Sequence, residues 1–216
     1  YHLCIDETAL SKGELYTILT NRDKHGRKGT IVAIVKGTKA EDVINVLLKI
    51  DADKRNQVKE ITLDMAGSMQ KIAKRCFPGA MQVVDRFHVS KLVYEAVQDL
   101  RIAYRWQVMK DENRKIKEAK AKGESYEPKV FSYGDTLRQL LARSRYLLFK
   151  APDKWLQSRK VRAKLLFEQF PDIKSVYYYA LRLGKIFSDY TDKDVARAKL
   201  ALWYNEIEEF GYDTFT

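Results

Sequence analysis

Apolar and polar positions follow two different rhythms along this chain, one strand-like and one helical. Residues 1 to 8, Tyr-His-Leu-Cys-Ile-Asp-Glu-Thr, open with apolar β-formers and end in acid, which predicts a strand. Residues 14 to 20, Glu-Leu-Tyr-Thr-Ile-Leu-Thr, predict a second, with Ser11, Lys12 and Gly13 supplying the turn. After the turn formers of Asn21 to Gly29 comes Thr30-Ile-Val-Ala-Ile-Val-Lys, dense in β-branched residues and therefore a third strand. Three strands in succession predict an antiparallel meander.

The rhythm then changes. Val43, Ile44, Val46, Leu47, Leu48 and Ile50 fit one face of a helix over 39 to 50, with Thr38 placed as N-cap and Glu41 at the capping-box spacing. Val58 to Leu63 reads as a short strand ending in Asp64. Gly67-Ser68 turns into a helix that runs through Cys76 until Pro78-Gly79 breaks it, and Ala80 to Val84 is a fifth strand ending in Asp85. The order β-β-β-α-β-α-β predicts a mixed sheet whose last strands lie parallel, an α/β class that matches an RNase H-like fold. Beyond His88 the pattern is helical throughout: 89 to 122, 137 to 149, 154 to 170, 173 to 190 and 194 to 210, with Asp172 and Asp192 near helix starts. The expected division is a catalytic core over 1 to 90 and a helical insertion over 91 to 216.

Charge sharpens that division. Of the net charge of +11, ten units fall in residues 86 to 170, which hold 20 Lys and Arg against 10 Asp and Glu. A regional excess of this kind favours a polyanionic partner, because each neutralised phosphate releases counterions. The two cysteines, Cys4 and Cys76, form neither a CxxC pair nor a disulfide framework and read as reduced core residues. No run of about 18 apolar residues and no signal peptide is present, so the expectation is a soluble cytoplasmic protein with no membrane partner.

Chemistry gathers at the strand ends. Asp6, Asp64 and Asp85 each close a predicted strand. If the first and fourth strands are neighbours, Asp6 and Asp64 project from one edge, and two carboxylates brought close repel unless a cation lies between them. Oxygen-only ligands suit Mg²⁺ or Mn²⁺ and not zinc. Such a pair can serve in-line displacement at a phosphodiester. The competing reading is that an Asp after a strand caps a helix or makes a turn.

Ile5-Asp6-Glu7, Leu63-Asp64-Met65 and Val84-Asp85-Arg86-Phe87-His88-Val89, with Phe77-Pro78-Gly79-Ala80 before the last, resemble the DDE domain of ISL3-family insertion-sequence transposases. The Asp85-to-His88 block, with Lys91 and later Leu100-Arg101, is the most specific element, and the resemblance covers residues 1 to 105 best. It implies an RNase H-like core with an Asp-Asp-Glu metal triad, Asp6 first and Asp64 second. It also implies an Asp-x-x-His signature at Asp85 and His88, double-stranded DNA as substrate, and a homo-oligomer assembled on that DNA near the bacterial nucleoid. From the residues themselves, His88 could orient a side chain or a phosphate, with Asp85 fixing its tautomer, or it could be a helix-start histidine satisfied by backbone. The third acid is expected in a motif rich in Asn and Lys that is not found here. Glu206, Glu208 and Glu209 stand in a different setting, so the chain is expected to end before the final catalytic helix. Glu7 is left out of the triad, since alternation sends it to the face opposite Asp6.

In the helical part, Arg101, Arg105, Arg114, Lys115, Arg143, Arg145, Arg159, Lys160 and Arg162 are the candidates for DNA contact, against the plainer reading of solvated helix surface. Trp106, Trp155 and Trp203 read as core or inter-helix anchors, and Tyr177-Tyr178-Tyr179 must expose at least one ring. Two other functions remain open: an inactive RNase H-like nucleic-acid-binding module, and a structure-specific nuclease such as a junction resolvase.

Overall fold

In the computed structural model, residues 1–211 are described. The chain divides into two compact units, Tyr1–Val89 and Ser90–Thr216. Strands β1 (His2–Ala9), β2 (Leu15–Asn21) and β3 (Ile31–Lys36) form the expected antiparallel meander. β4 (Glu60–Leu63) and β5 (Met81–Val84) add to it in parallel, giving one mixed sheet in the order β3-β2-β1-β4-β5. This α/β arrangement is compatible with the RNase H-like architecture expected from the sequence.

One face of the sheet holds the core. Leu3, Ile5, Leu19, Val35, Ile61 and Leu63 alternate inward from four strands and meet α1 (Ala40–Leu47) and α3 (Gly67–Cys76). α1 contributes Val43, Ile44 and Leu47, and α3 contributes Met69, Ile72, Ala73 and Cys76, all buried. Burying such a side chain is worth about 1.5–3 kcal/mol relative to leaving it in water, which fixes the strand register through its side-chain alternation.

Several boundaries differ from expectation. α1 begins one residue later than predicted, its N-cap is Lys39, and no side chain caps it, so the capping box assigned to Thr38 and Glu41 does not form. A short helix, α2 (Ala52–Asn56), lies in the stretch read as a connection, and it starts because the Asp51 carboxylate accepts the Asp53 N–H at 2.8 Å. Asp6 does not end β1. The strand continues to Ala9 through its antiparallel pairing with β2, whereas its parallel pairing with β4 covers only His2–Cys4. Cys4, expected in the core, is only partly buried and sits on the sheet face opposite Leu3 and Ile5.

The second unit is helical. α4 (Arg86–Ala121) crosses the boundary between the units, and α5 (Leu137–Arg143), α6 (Gln157–Gln169), α7 (Pro171–Asp189) and α8 (Lys193–Phe210) follow. α5 is shorter than predicted, although Thr136 and Gln139 form a complete capping box at its start. α7 is the hub, burying Ile173, Val176, Tyr177, Ala180, Leu183 and Ile186 against its neighbours. The buried polar ends of its aromatic partners are satisfied: Tyr177 donates to the Lys150 carbonyl at 2.6 Å, and Trp155 and Trp203 donate to the carbonyls of Leu147 and Tyr179 at 3.0 and 2.9 Å. Trp106 departs from the expected anchoring role and is 58% exposed. Among the described residues no helix is long and apolar enough to cross a membrane.

Asp135 is 1% exposed, and its side chain is held by Arg143 and, at 3.1 Å, by Arg162. Together these residues tie the segment before α5 to α5 and α6. Removing the carboxylate leaves two guanidinium groups competing without their acceptor, but both arginines retain some access to water, so the loss falls short of that for a fully sealed pair. Asp135→Ala is therefore expected to destabilise the protein by about 2–3 kcal/mol in urea unfolding, with Asp135→Asn intermediate.

Candidate functional site

The site is built by register. His2, Leu3 and Cys4 of β1 stand opposite Glu60, Ile61 and Thr62 of β4, where the parallel ladder ends; Asp6 lies two residues beyond it on β1, and Asp64 directly follows β4. Leu63 of β4 stands opposite Val84 of β5, so the next pair is Asp64 and Asp85, and the Asp85 N–H donates to the Leu63 carbonyl at 2.8 Å. Asp64 and Asp85 thus leave β4 and β5 at matched ends, and Asp6 lies on the neighbouring strand β1.

Each of these acids uses one oxygen on the backbone. Oδ1 of Asp6 accepts from the Glu7 N–H at 2.8 Å, Oδ1 of Asp64 from Ala66 at 2.8 Å, and Oδ1 of Asp85 from Phe87 at 2.9 Å. For Asp64 this bond turns the chain out of β4 toward α3. For Asp85 it supports the first turn of α4, and the Asp85 carbonyl also accepts from the His88 N–H at 3.1 Å. Asp85 therefore makes the helix-capping contact that competed with its catalytic reading, and it places His88 through the backbone. The ring of His88 lies beside Asp6: Nε2 is 3.9 Å from Oδ1, outside hydrogen-bond distance and within ion-pair reach when the ring is protonated. Its other neighbour is the edge of Phe87, at a centroid distance of 5.6 Å.

Two neighbours of the pair escaped the sequence reading. The Glu7 carboxyl is pushed up from its usual range by partial burial, then by the charges of Asp64 and Asp6. Alternation from Asp6 excluded it, but β1 runs past the end of its ladder with β4, and there Glu7 comes close enough to feel both acids. The Cys4 thiol is likewise pushed up by burial, then by Asp6 and Asp85, and lowered slightly by Arg22. The consecutive acids Asp6-Glu7 and the two-residue spacing of Cys4 from Asp6 were the available signals.

Among the described residues no group of three His, Cys, Asp or Glu side chains is gathered as a metal site. Glu206 is engaged elsewhere, in a two-pronged pair with Arg182 that holds its carboxyl below the usual range. Glu208 accepts from Tyr204.

Residues 3–216 match the model of the DDE transposase family of ISL3 type, described as transposase. The chain belongs to that family. No curated protein matches it. Membership gives this transposase a DNA partner and a DNA-processing role, and it frames the basic residues of the helical unit.

Those cations separate by burial. Arg101 of the transposase is 4% exposed, donating to Gln98 Oε1 at 2.7 Å and to the Leu141 carbonyl at 2.9 Å, so it braces α4 against α5 from inside. Arg143 and Arg162 hold Asp135. Arg105 and Arg159 are half-buried. Arg114 is exposed, with Asp111 at 3.3 Å and Glu118 at 3.5 Å as partners. Lys115, Arg145 and Lys160 are exposed, Arg145 lying over the Tyr146 ring at 5.4 Å.

The raised Glu7 gives a prediction with a definite sign. Its folded-state pKa lies above the unfolded one, so the ionised form opposes folding; stability is fully present below the unfolded pKa and falls as pH rises through the folded pKa. Glu7→Gln should therefore raise the melting temperature of the metal-free protein at about pH 7, and the gain should vanish toward about pH 4, where the wild-type carboxyl is also neutral. Thermal melts across that range provide the check.

Proposed function

We propose that this transposase cuts and joins DNA phosphodiester bonds at insertion-sequence ends, using a divalent ion held by Asp6 and Asp64 on an RNase H-like core, with residues 91 to 216 as a basic helical insertion. The observation that supports this reading most is the strand order, in which β1, carrying Asp6, is the parallel neighbour of β4, which Asp64 directly follows. With Oδ1 of each turned to backbone, both carboxylates keep a second oxygen, an all-oxygen donor set that fits Mg²⁺ or Mn²⁺. Magnesium sites commonly use one or two protein carboxylates and draw the remaining ligands from water and substrate phosphate, so two acids suffice for a site completed by DNA. A bound ion of this type polarises the phosphoryl oxygens and lowers the pKa of a nucleophilic water or hydroxyl.

The protein's own groups have narrower duties. Asp6 and Asp64 orient the ion and keep the edge anionic. His88, when protonated, steadies the Asp6 carboxylate or a DNA phosphate beside it, and Asp85 is a positioning residue that fixes the turn carrying His88. The exposed cations Arg114, Lys115, Arg145 and Lys160 track the phosphate backbone, with Arg105 and Arg159 at the margin of that surface. The protein acts at the bacterial nucleoid as a homo-oligomer assembled on DNA ends.

One competing reading draws on a specific observation. Because no third acid joins the pair among the described residues, the chain could be an inactive DNA-binding module. Asp64→Asn in the active protein separates the two. The expected result is loss of cleavage on the order of a thousandfold or more, the size that follows from removing several kcal/mol of charge stabilisation, with retained affinity for transposon ends. Cleavage at the wild-type rate would rule out the metal role of Asp64, and binding with no nicking in the wild-type protein would favour the inactive module.

The metal itself can be sought directly. Crystals soaked in Mn²⁺ should show an anomalous peak shared by Asp6 and Asp64, which disappears in Asp6→Asn. Ordered carboxylates too far apart to share an ion would break the assignment.

A further inference from the structure

The helical unit carries a concavity lined by none of the acids of the proposed site. It is an open groove of about 650 Å³ between the segment before α6, α6 itself and the start of α7. Its floor is aromatic and its rim is basic: Trp155, Phe167 and Tyr178 form the floor, and Lys160, Lys164 and Lys174 stand around it. The rings belong to a continuous cluster in which Trp155 stacks on Tyr177 at 5.7 Å and 21°, and Phe167 lies 5.5 Å from Tyr177 and 6.1 Å from Tyr178.

The parts of this cluster differ in their freedom. Tyr177 is fully buried and Trp155 is 9% exposed, each with its polar atom committed to a backbone carbonyl, so they are the fixed base. Tyr178 is 42% exposed and meets Tyr177 edge to face at 5.4 Å, a backed ring with open surface. Lys164 is 81% exposed and reaches Glu168 only at 4.0 Å, so its ammonium remains available to another anion. A flat apolar surface of ring size beside several mobile cations matches a nucleotide's two halves, a stacking base and an anionic phosphate. Asp153 and Glu168, also at the groove, add acceptors of the kind that receive the exocyclic amino group of cytosine or adenine.

Resting on the reading of this chain as a DNA transposase, we propose that the Trp155–Phe167–Tyr178 groove captures an unstacked nucleobase of the DNA, with Lys160, Lys164 and Lys174 holding the flanking phosphates. A paired base inside a duplex cannot present its face to Tyr178, so the groove discriminates in favour of single-stranded or locally opened DNA. Of the duplex contacts proposed above, only Lys160 belongs to the groove, and none involves Tyr178.

The test is fluorescence titration of the full chain with two probes, a 16-nucleotide single strand carrying one 2-aminopurine, about one OB-fold-sized site in length, and a blunt duplex of the same length. Tyr178→Ala should weaken single-strand binding about tenfold and abolish the 2-aminopurine quenching, Tyr178→Phe should keep both, and duplex affinity should not change. Tyr178 is half in solvent, so both variants should fold, and circular dichroism verifies it. Wild-type single-strand affinity and quenching in Tyr178→Ala would overturn the proposal while leaving duplex binding, and with it the transposase reading, intact. Loss of duplex binding by the wild-type chain would count against that broader reading instead. An acidic decapeptide that displaces the single strand from wild type but binds Tyr178→Ala equally well would assign the lysines to a protein ligand and also overturn the proposal.

Discussion

Like charges resist being placed side by side, and the arrangement of this sheet edge depends on how that resistance is met. Asp64 and Asp85 follow β4 and β5 in matched register, Asp6 lies within the neighbouring β1, and the register is imposed by the apolar alternation below it. Slipping β4 by one residue would send Ile61 and Leu63 to the opposite face, so the burial of those side chains fixes where Asp64 leaves the sheet. The carboxylates are accommodated because each accepts a backbone N–H with one oxygen, which offsets part of the repulsion and leaves the other oxygen outward. The Glu7 carboxyl, pushed up first by burial, is pushed further by the repulsion of Asp64 and Asp6. A cation between Asp6 and Asp64 would relieve it, and this is the physical link between the fold and the proposed chemistry.

The helical unit handles charge in the opposite way, by spending cations internally. Arg101 is sealed between helices with backbone and side-chain acceptors, and Asp135 is held by Arg143 and Arg162. These arginines add to the regional positive charge and still serve packing. The excess that points to a polyanion is therefore real at the level of the unit, whereas its assignment to individual side chains requires knowing which are committed. Among the candidates, Arg114, Lys115, Arg145 and Lys160 are exposed and not tied to a buried acceptor.

The periodic parts of the sequence were the legible ones. Alternation over β1 and β2 and the apolar stripes of α1, α3 and α7 come directly from burial, and β3 shows in its β-branched residues, so these elements can be read without tertiary information. What escaped depends on partners distant in sequence. The extension of β1 past Asp6 is set by β2, which continues pairing after β4 has turned away. Cys4 looked like a core residue because its neighbours are apolar, but it alternates to the face shared with Asp6. α2 is nucleated by a single Asp51 cap with no apolar stripe to announce it. Trp106 reads as an anchor by residue type alone, and only the packing of α4 shows that its ring is exposed.

Asp85 shows why a motif and a mechanism should be kept apart. The Asp-x-x-His spacing suggests two side chains acting on each other, yet the Asp85 carboxylate accepts from the Phe87 N–H, and its link to His88 runs through its carbonyl. The spacing works because one helical turn returns His88 to the side of its own cap, where the sheet edge holds Asp6 at 3.9 Å. On this view Asn at position 85 would preserve the turn, since an amide oxygen can accept the same N–H, while Ala would loosen the start of α4 and with it the ring beside Asp6. A residue required for its capping oxygen and one required for its charge give different answers to that pair of substitutions, and the geometry here favours the oxygen.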